Sequence, residues 1–96
     1  MARATLFYRD KGVLPDGAII EITIWRLPKA DAERPHGLKY SLFYGKGGTR
    51  LIGYDNERGK GDHRHIMDRE EAYAFVSEEQ LIADFMTDVR KMRNEI

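Results

Sequence analysis

An α+β fold, an antiparallel β-sheet meander of about five strands with a C-terminal α-helix packed across it, is what the sequence predicts. Three observations predict it. Apolar side chains recur with period two at Ile20, Ile22 and Ile24, and again at Leu38, Tyr40, Leu42 and Tyr44. Short glycine- or proline-bearing segments separate these runs, and strands so closely spaced pair as antiparallel neighbours. After Ser77 the period changes, and Leu81, Ile82, Phe85, Val89 and Met92 form one helical stripe.

The elements follow in order. Residues 4–9, Ala-Thr-Leu-Phe-Tyr-Arg, are rich in β-formers and predict a first strand. Asp10 to Gly17 reads as a loop, ending in the turn chemistry of Leu14-Pro15-Asp16-Gly17. The second strand carries its three isoleucines on one face, with Glu21, Thr23 and Trp25 on the other. Pro28 to Gly37 is polar, with prolines near both ends, and predicts a loop in which His36 is a surface histidine. Leu38 to Tyr44 is the third strand, Gly45-Lys46-Gly47-Gly48 a hairpin connection, and Arg50 to Tyr54 a short fourth strand. His63 to Met67 returns as a fifth strand. Asp68 to Glu71 is read as a solvated, charged turn and Tyr73 to Val76 as a short extended piece. Ser77 and Gln80 predict a capping box, with Val76 stapled to Leu81 and Glu78 and Glu79 at the positive end of the helix dipole.

Length and composition set the bounds. Ninety-six residues make a single α+β domain, residues 1–96. A chain of this size buries roughly 60–65% of its unfolded surface, enough for one modest core. The absence of cysteine removes disulfides and thiolate metal sites, and it fits a reducing cytoplasmic compartment. The N-terminus has no long apolar run after a basic start, which predicts no secretory leader. No stretch approaches the ~20 apolar residues of a membrane span. Sixteen basic and sixteen acidic residues cancel, which excludes broad charge-driven nucleic-acid binding but leaves local asymmetry. From Lys46 to Arg64 five cations face three anions, whereas Glu78 to Asp88 carries four anions and no cation.

One stretch has no role in such a core. Tyr54-Asp55-Asn56-Glu57-Arg58-Gly59-Lys60-Gly61-Asp62-His63-Arg64-His65 holds two of the three histidines, three cations, three carboxylates and two glycines. On a strand, His63 and His65 share a face and Arg64 and Ile66 share the other. Two positions span roughly 6.5–7 Å, a separation at which two imidazoles flank one phosphodiester. Histidine titrates near ~6.5, so one ring is able to be neutral while its neighbour is protonated. The pattern therefore suits metal-independent RNA cleavage, with His63 and His65 as acid and base. Lys60 adds charge for the phosphorane, Arg58 and Arg64 supply further cations, and the backbone amides of Gly59 and Gly61 can approach a phosphate. Tyr54 borders the motif and offers a ring for stacking on a base. Asp55 and Asn56 are each able to orient a histidine or simply close the turn, and Asn56 more simply does the second.

Two other readings stay open. A His-x-His pair can hold a metal with Asp55, Asp62 or His36 as a further ligand, which would make the site a metal-dependent nuclease or phosphoesterase. A solvated hairpin with incidental histidines would make the chain a non-catalytic RNA- or protein-binding module. An exposed sheet edge is able to pair across a two-fold axis, which admits a homodimer.

The residues also carry a resemblance. Leu6-Phe7-Tyr8-Arg9-Asp10, Gly17-Ala18-Ile19-Ile20-Glu21, Trp25-Arg26-Leu27-Pro28, Tyr40 to Gly45, the long motif ending in His63-Arg64-His65, and Phe75 to the C-terminal helix together resemble the TumE family of toxin–antitoxin proteins. That family was formerly a domain of unknown function. The resemblance covers nearly the whole chain, and the long motif is its specific part. It implies a small prokaryotic cytoplasmic toxin neutralised by a cognate antitoxin. Ribonuclease activity on an RNA substrate is the analogy that toxins of this size suggest, with no cofactor and no membrane. The roles given to His63, His65 and Lys60 come from their chemistry.

Overall fold

The computed structural model describes residues 3–32, 34–57 and 59–94. Six strands, β1 (Thr5–Val13), β2 (Ile19–Arg26), β3 (Leu38–Lys46), β4 (Thr49–Asp55), β5 (His63–Ile66) and β6 (Arg69–Ala72), precede one helix, α1 (Glu78–Met92). The strands form one antiparallel sheet in chain order, β1-β2-β3-β4-β5-β6. The expected meander with a C-terminal helix is therefore the observed fold, with one strand more. Arg69 to Ala72 is that strand. Met67, in the left-handed region at φ 58°, folds the chain straight back, a conformation that costs a methionine about 1–2 kcal/mol. Nothing in Met67-Asp68 signals such a turn, which is why these residues read as a loop.

Alternation decides what each face carries. Ile22, Leu42 and Tyr54 lie opposite one another across β2, β3 and β4, as do Ile20, Tyr44, Ile52 and Ile66. These side chains pack beneath α1, whose buried residues are Leu81, Phe85 and Val89. Each is worth on the order of 1.5–3 kcal/mol of burial. The Ser77 hydroxyl accepts from the Gln80 N–H at 3.1 Å, while the Gln80 amide donates to Asp84 rather than back to Ser77, so half the capping box forms. Val76 is 75% exposed and does not staple the helix end.

At the other edge β1 is longer than its sequence suggests, running through Asp10 to Val13, and it is exposed along its whole length. The Lys46–Thr49 connection is a two-residue turn in which Gly47 and Gly48 both take positive φ, 59° and 80°, the backbone that matches strand twist. Asn56 closes the β4 end as expected of it: fully buried, it donates to the Leu38 carbonyl at 2.8 Å and accepts from the Tyr40 N–H at 3.0 Å. No helix among the described residues is long and apolar enough to cross a membrane.

Candidate active site

The face opposite α1 carries the histidine pair. Asp55 pairs with His63 and Gly53 with His65 across β4 and β5, and His65 faces Glu70 on β6. The extended reading of residues 63–67 holds as far as Ile66, while Met67 turns the chain instead, so both rings lie on one face. They meet edge to face, with centroids 5.0 Å apart and planes at 80°. Both point their Nε2 atoms at one oxygen: Glu70 Oε2 lies 3.1 Å from His65 and 3.6 Å from His63.

His63 is 6% exposed and held from two sides. Its Nδ1 sits 3.0 Å from the Gly61 carbonyl oxygen, which can only accept, so Nδ1 carries a hydrogen. Its Nε2 lies 2.6 Å from Asp55 Oδ1, a second acceptor when ionised. Both ring nitrogens of His63 thus face oxygen atoms. Asp55 Oδ1 is buried and in ion-pair contact, yet among the described residues no donor is aligned on it for a directed hydrogen bond. Such a group is costly to leave unsatisfied and is commonly retained for chemistry.

The environment of His65 differs. Burial, and next the positive charge of Arg50, hold its imidazole below the usual 6.5, against the opposing pull of Glu70. The neutral ring is thus favoured at His65.

Several other predicted residues stand elsewhere. Tyr54 is fully buried, its ring edge-on to Tyr73 and Phe85 and its hydroxyl bonded to Asp88, so no ring face is left for a base. Arg64 alternates onto the helix face, where it donates to the Tyr54 hydroxyl at 3.1 Å and pairs with Asp88 and Glu71. It ties sheet to helix and faces away from the histidines. Lys60 is exposed in the turn, and its backbone N–H donates to the Glu57 carbonyl at 3.1 Å. Gly59 and Gly61 take positive φ, 87° and 70°, which lets this connection fold tightly. Arg58 lies outside the described residues.

His36 is a correction. It is a packed residue whose side chain is 14% exposed. Its Nδ1 accepts from the Leu38 N–H at 3.1 Å, its Nε2 donates to Asp62 at 3.0 Å, and its ring lies 4.0 Å from that of Phe75. Asp62 also accepts from the Tyr40 hydroxyl at 2.7 Å. That bond, after burial itself, pushes the Tyr40 phenol well above its usual range.

The sequence reading missed Glu70, assigned to a solvated turn, and Arg50, taken as an ordinary strand residue. Recognising the β5–β6 hairpin would have placed Glu70 opposite His65. The metal alternative also has geometric footing: ligand atoms of Asp55, His63 and His65 all lie within 4.8 Å of one another.

No curated protein and no solved structure matches the chain. The family model described as Toxin TumE matches residues 3–93. That match spans the sheet, the histidine pair and the helix, and by it the chain belongs to the TumE toxin family.

Proposed function

We propose that the chain is the toxin of a type II toxin–antitoxin pair, that it works in the cytoplasm, and that it cleaves RNA without a metal. One observation carries the catalytic reading: two imidazoles of unlike environment converge through Nε2 on a single oxygen, at 3.1 and 3.6 Å. Glu70 Oε2 occupies the place that a phosphate oxygen would take. Its side chain is 51% exposed on an edge strand, so it is free to give way to a substrate.

In this reading His65, favoured neutral, takes the proton of the 2′-hydroxyl as that oxygen attacks phosphorus. The bond to the 5′-oxygen breaks, and His63 delivers to that oxygen the proton it shares with Asp55. The products are a 2′,3′-cyclic phosphate and a 5′-hydroxyl. Asp55 and the Gly61 carbonyl orient the His63 ring. Lys60, with the amides of Gly59 and Gly61, supplies positive potential from the neighbouring turn as charge builds on the phosphorane, and Arg58, outside the described residues, is a further cation by sequence alone. A cognate antitoxin that covers this face would silence the toxin.

The clustering of Asp55, His63 and His65 supports a second reading, in which the three hold a divalent ion and Glu70 completes a tetrahedral set. Incubating purified protein with single-stranded RNA in excess EDTA decides between them. Cleavage to cyclic-phosphate ends should persist in EDTA for the wild type and vanish for His63→Ala and His65→Ala. Loss of wild-type activity in EDTA, restored by one divalent metal, would instead establish the metal reading.

A further inference from the structure

Two glycines on the open face lie beneath flat side chains. A β-carbon placed on Gly53 would fall 2.9 Å from Arg50 Cδ, 3.4 Å from Nε and 3.6 Å from Nη1, so the arginine arm lies across the bare backbone there. A β-carbon on Gly45 would fall 2.5 Å from the Thr49 carbonyl oxygen and 2.6 Å from Phe43 Cζ, so both the hairpin backbone and the phenyl ring close over that glycine. Phe43, Gly53 and His65 stand opposite one another in one row of the sheet, and Gly45 faces Arg50 in the next. A phenyl ring, a guanidinium arm and an imidazole thus lie side by side on one face.

Arg50 reaches this face through a register shift. Tyr44 pairs with Ile52 but Gly45 pairs with Arg50, and the extra residue, Leu51, turns Arg50 away from the helix side. Arg50 is exposed and, among the described residues, in ion-pair contact with no carboxylate, although Glu70 lies beyond His65 in the same row. Its charge nevertheless acts on His65. An unpaired cation laid beside two convergent imidazoles is a seat for an anion. It also borders a cleft of about 390 Å³ shared with Thr49, Met67 and Asp68.

We propose that Arg50 and Phe43 form the nucleotide subsite of the histidine pair, binding single-stranded RNA with Arg50 on a backbone phosphate and Phe43 beneath a base. The proposal rests on the ribonuclease reading for its choice of RNA over other phosphodiesters. Every nucleobase has a stacking face, and a duplex hides it, so the subsite selects single strands without selecting a sequence. Gly45 and Gly53 keep the surface low enough for a base and a phosphate to lie flat against it.

The test uses a fluorescein-labelled, mixed-sequence 2′-fluoro RNA decamer, which lacks the attacking hydroxyl and so reports binding without cleavage. Binding by anisotropy is measured across a salt series, and cleavage of ordinary RNA is followed in parallel. Arg50→Gln should weaken decamer binding about tenfold and reduce the salt slope by about 0.7, the value for one phosphate on a single strand. Arg50→Lys should restore the slope. Phe43→Leu should weaken binding about tenfold with the slope unchanged. Gly53→Ala, whose added methyl displaces the arginine arm, should reproduce part of the Arg50→Gln loss with an unchanged melting temperature. Affinity and slope that stay at wild-type values in Arg50→Gln and Phe43→Leu overturn the subsite, as does equal affinity for the duplex form. If ordinary RNA is still cleaved in that case, the histidine mechanism survives without the subsite. Arg50-dependent binding with no cleavage by the wild type supports the subsite and removes the mechanism.

Discussion

The His36–Asp62 and His63–Asp55 pairs occupy opposite faces of the same sheet, and of these two only the first has complementary hydrogen bonding. On the helix side, His36 accepts at Nδ1 from a backbone N–H and donates at Nε2 to Asp62, which also accepts from Tyr40. Donors and acceptors match, and a neutral ring with an ionised carboxylate satisfies every contact. On the open side, His63 faces oxygen atoms at both nitrogens, and Asp55 Oδ1 is buried with no aligned donor among the described residues. A satisfied pair locks structure; a pair whose carboxylate oxygen has no aligned donor leaves that contact open to change. The same two residue types are thus separated by what faces the second ring nitrogen.

The largest expected effect breaks this contrast at the histidines themselves. His63→Ala and His65→Ala should each lower RNA cleavage by about 10²–10⁴-fold, the usual contribution of a general acid or base. His36→Ala should change the rate per folded molecule little, because its contacts are all to structural groups on the other face. A rate assay normalised to folded fraction checks this. An equal loss in His36→Ala would mean that the two pairs act as one site.

Next come the carboxylates, where stability and activity should separate. Asp62→Ala removes the shared acceptor of His36 and Tyr40 and leaves two part-buried donors unpaired. That should cost about 1–3 kcal/mol, or a melting temperature lower by roughly 4–20 °C. Asp55→Asn should leave the melting temperature within a few degrees of wild type, since the open-face oxygen it replaces is already poorly satisfied. Its cleavage should nonetheless fall about 10–100-fold, as for other partners that orient a functional imidazole. Calorimetry beside the rate assay separates the two. A large melting loss in Asp55→Asn with full activity would reverse the assignment of the pairs.

How much of this contrast the sequence foretold depends on the range of the contacts. Alternation over Ile20 to Ile24 and Leu38 to Tyr44 sets both sheet faces locally, and the stripe from Leu81 to Met92 sets the helix, so the fold was legible. The shared face of His63 and His65 was legible for the same reason, since it needs only a strand. His36 joins Asp62 across 26 residues, and nothing in a polar, proline-flanked loop announces that partner. Glu70 required a turn at Met67, where no glycine or asparagine marks the positive φ. Arg50 required the shift between Tyr44 and Gly45; in regular register it would share the helix face with Ile52 and Tyr54. Short-range periodicity was visible, whereas bulges, unmarked turns and long-range partners depend on the whole sheet.

The smallest expected effect sharpens the electrostatic half of the contrast. Burial and Arg50 hold His65 below the value of 6.5 that it regains on unfolding. Near and below that pH the unfolded chain therefore binds more protons at this position than the folded one does. Stability must then rise with pH through this region, and equivalently fall as the solution is acidified from about 6.5 through the lower folded value. The loss belongs to the open-face pair, so His65→Ala should flatten it, while Arg50→Gln, which removes the second cause of the shift, should reduce it. Urea midpoints measured from pH 7.5 down to pH 5, as differences between each variant and wild type, isolate the contribution from the carboxylates that titrate lower. A slope that persists unchanged in His65→Ala would place the acid sensitivity elsewhere, and His65 would lose its distinction as the neutral member of the pair.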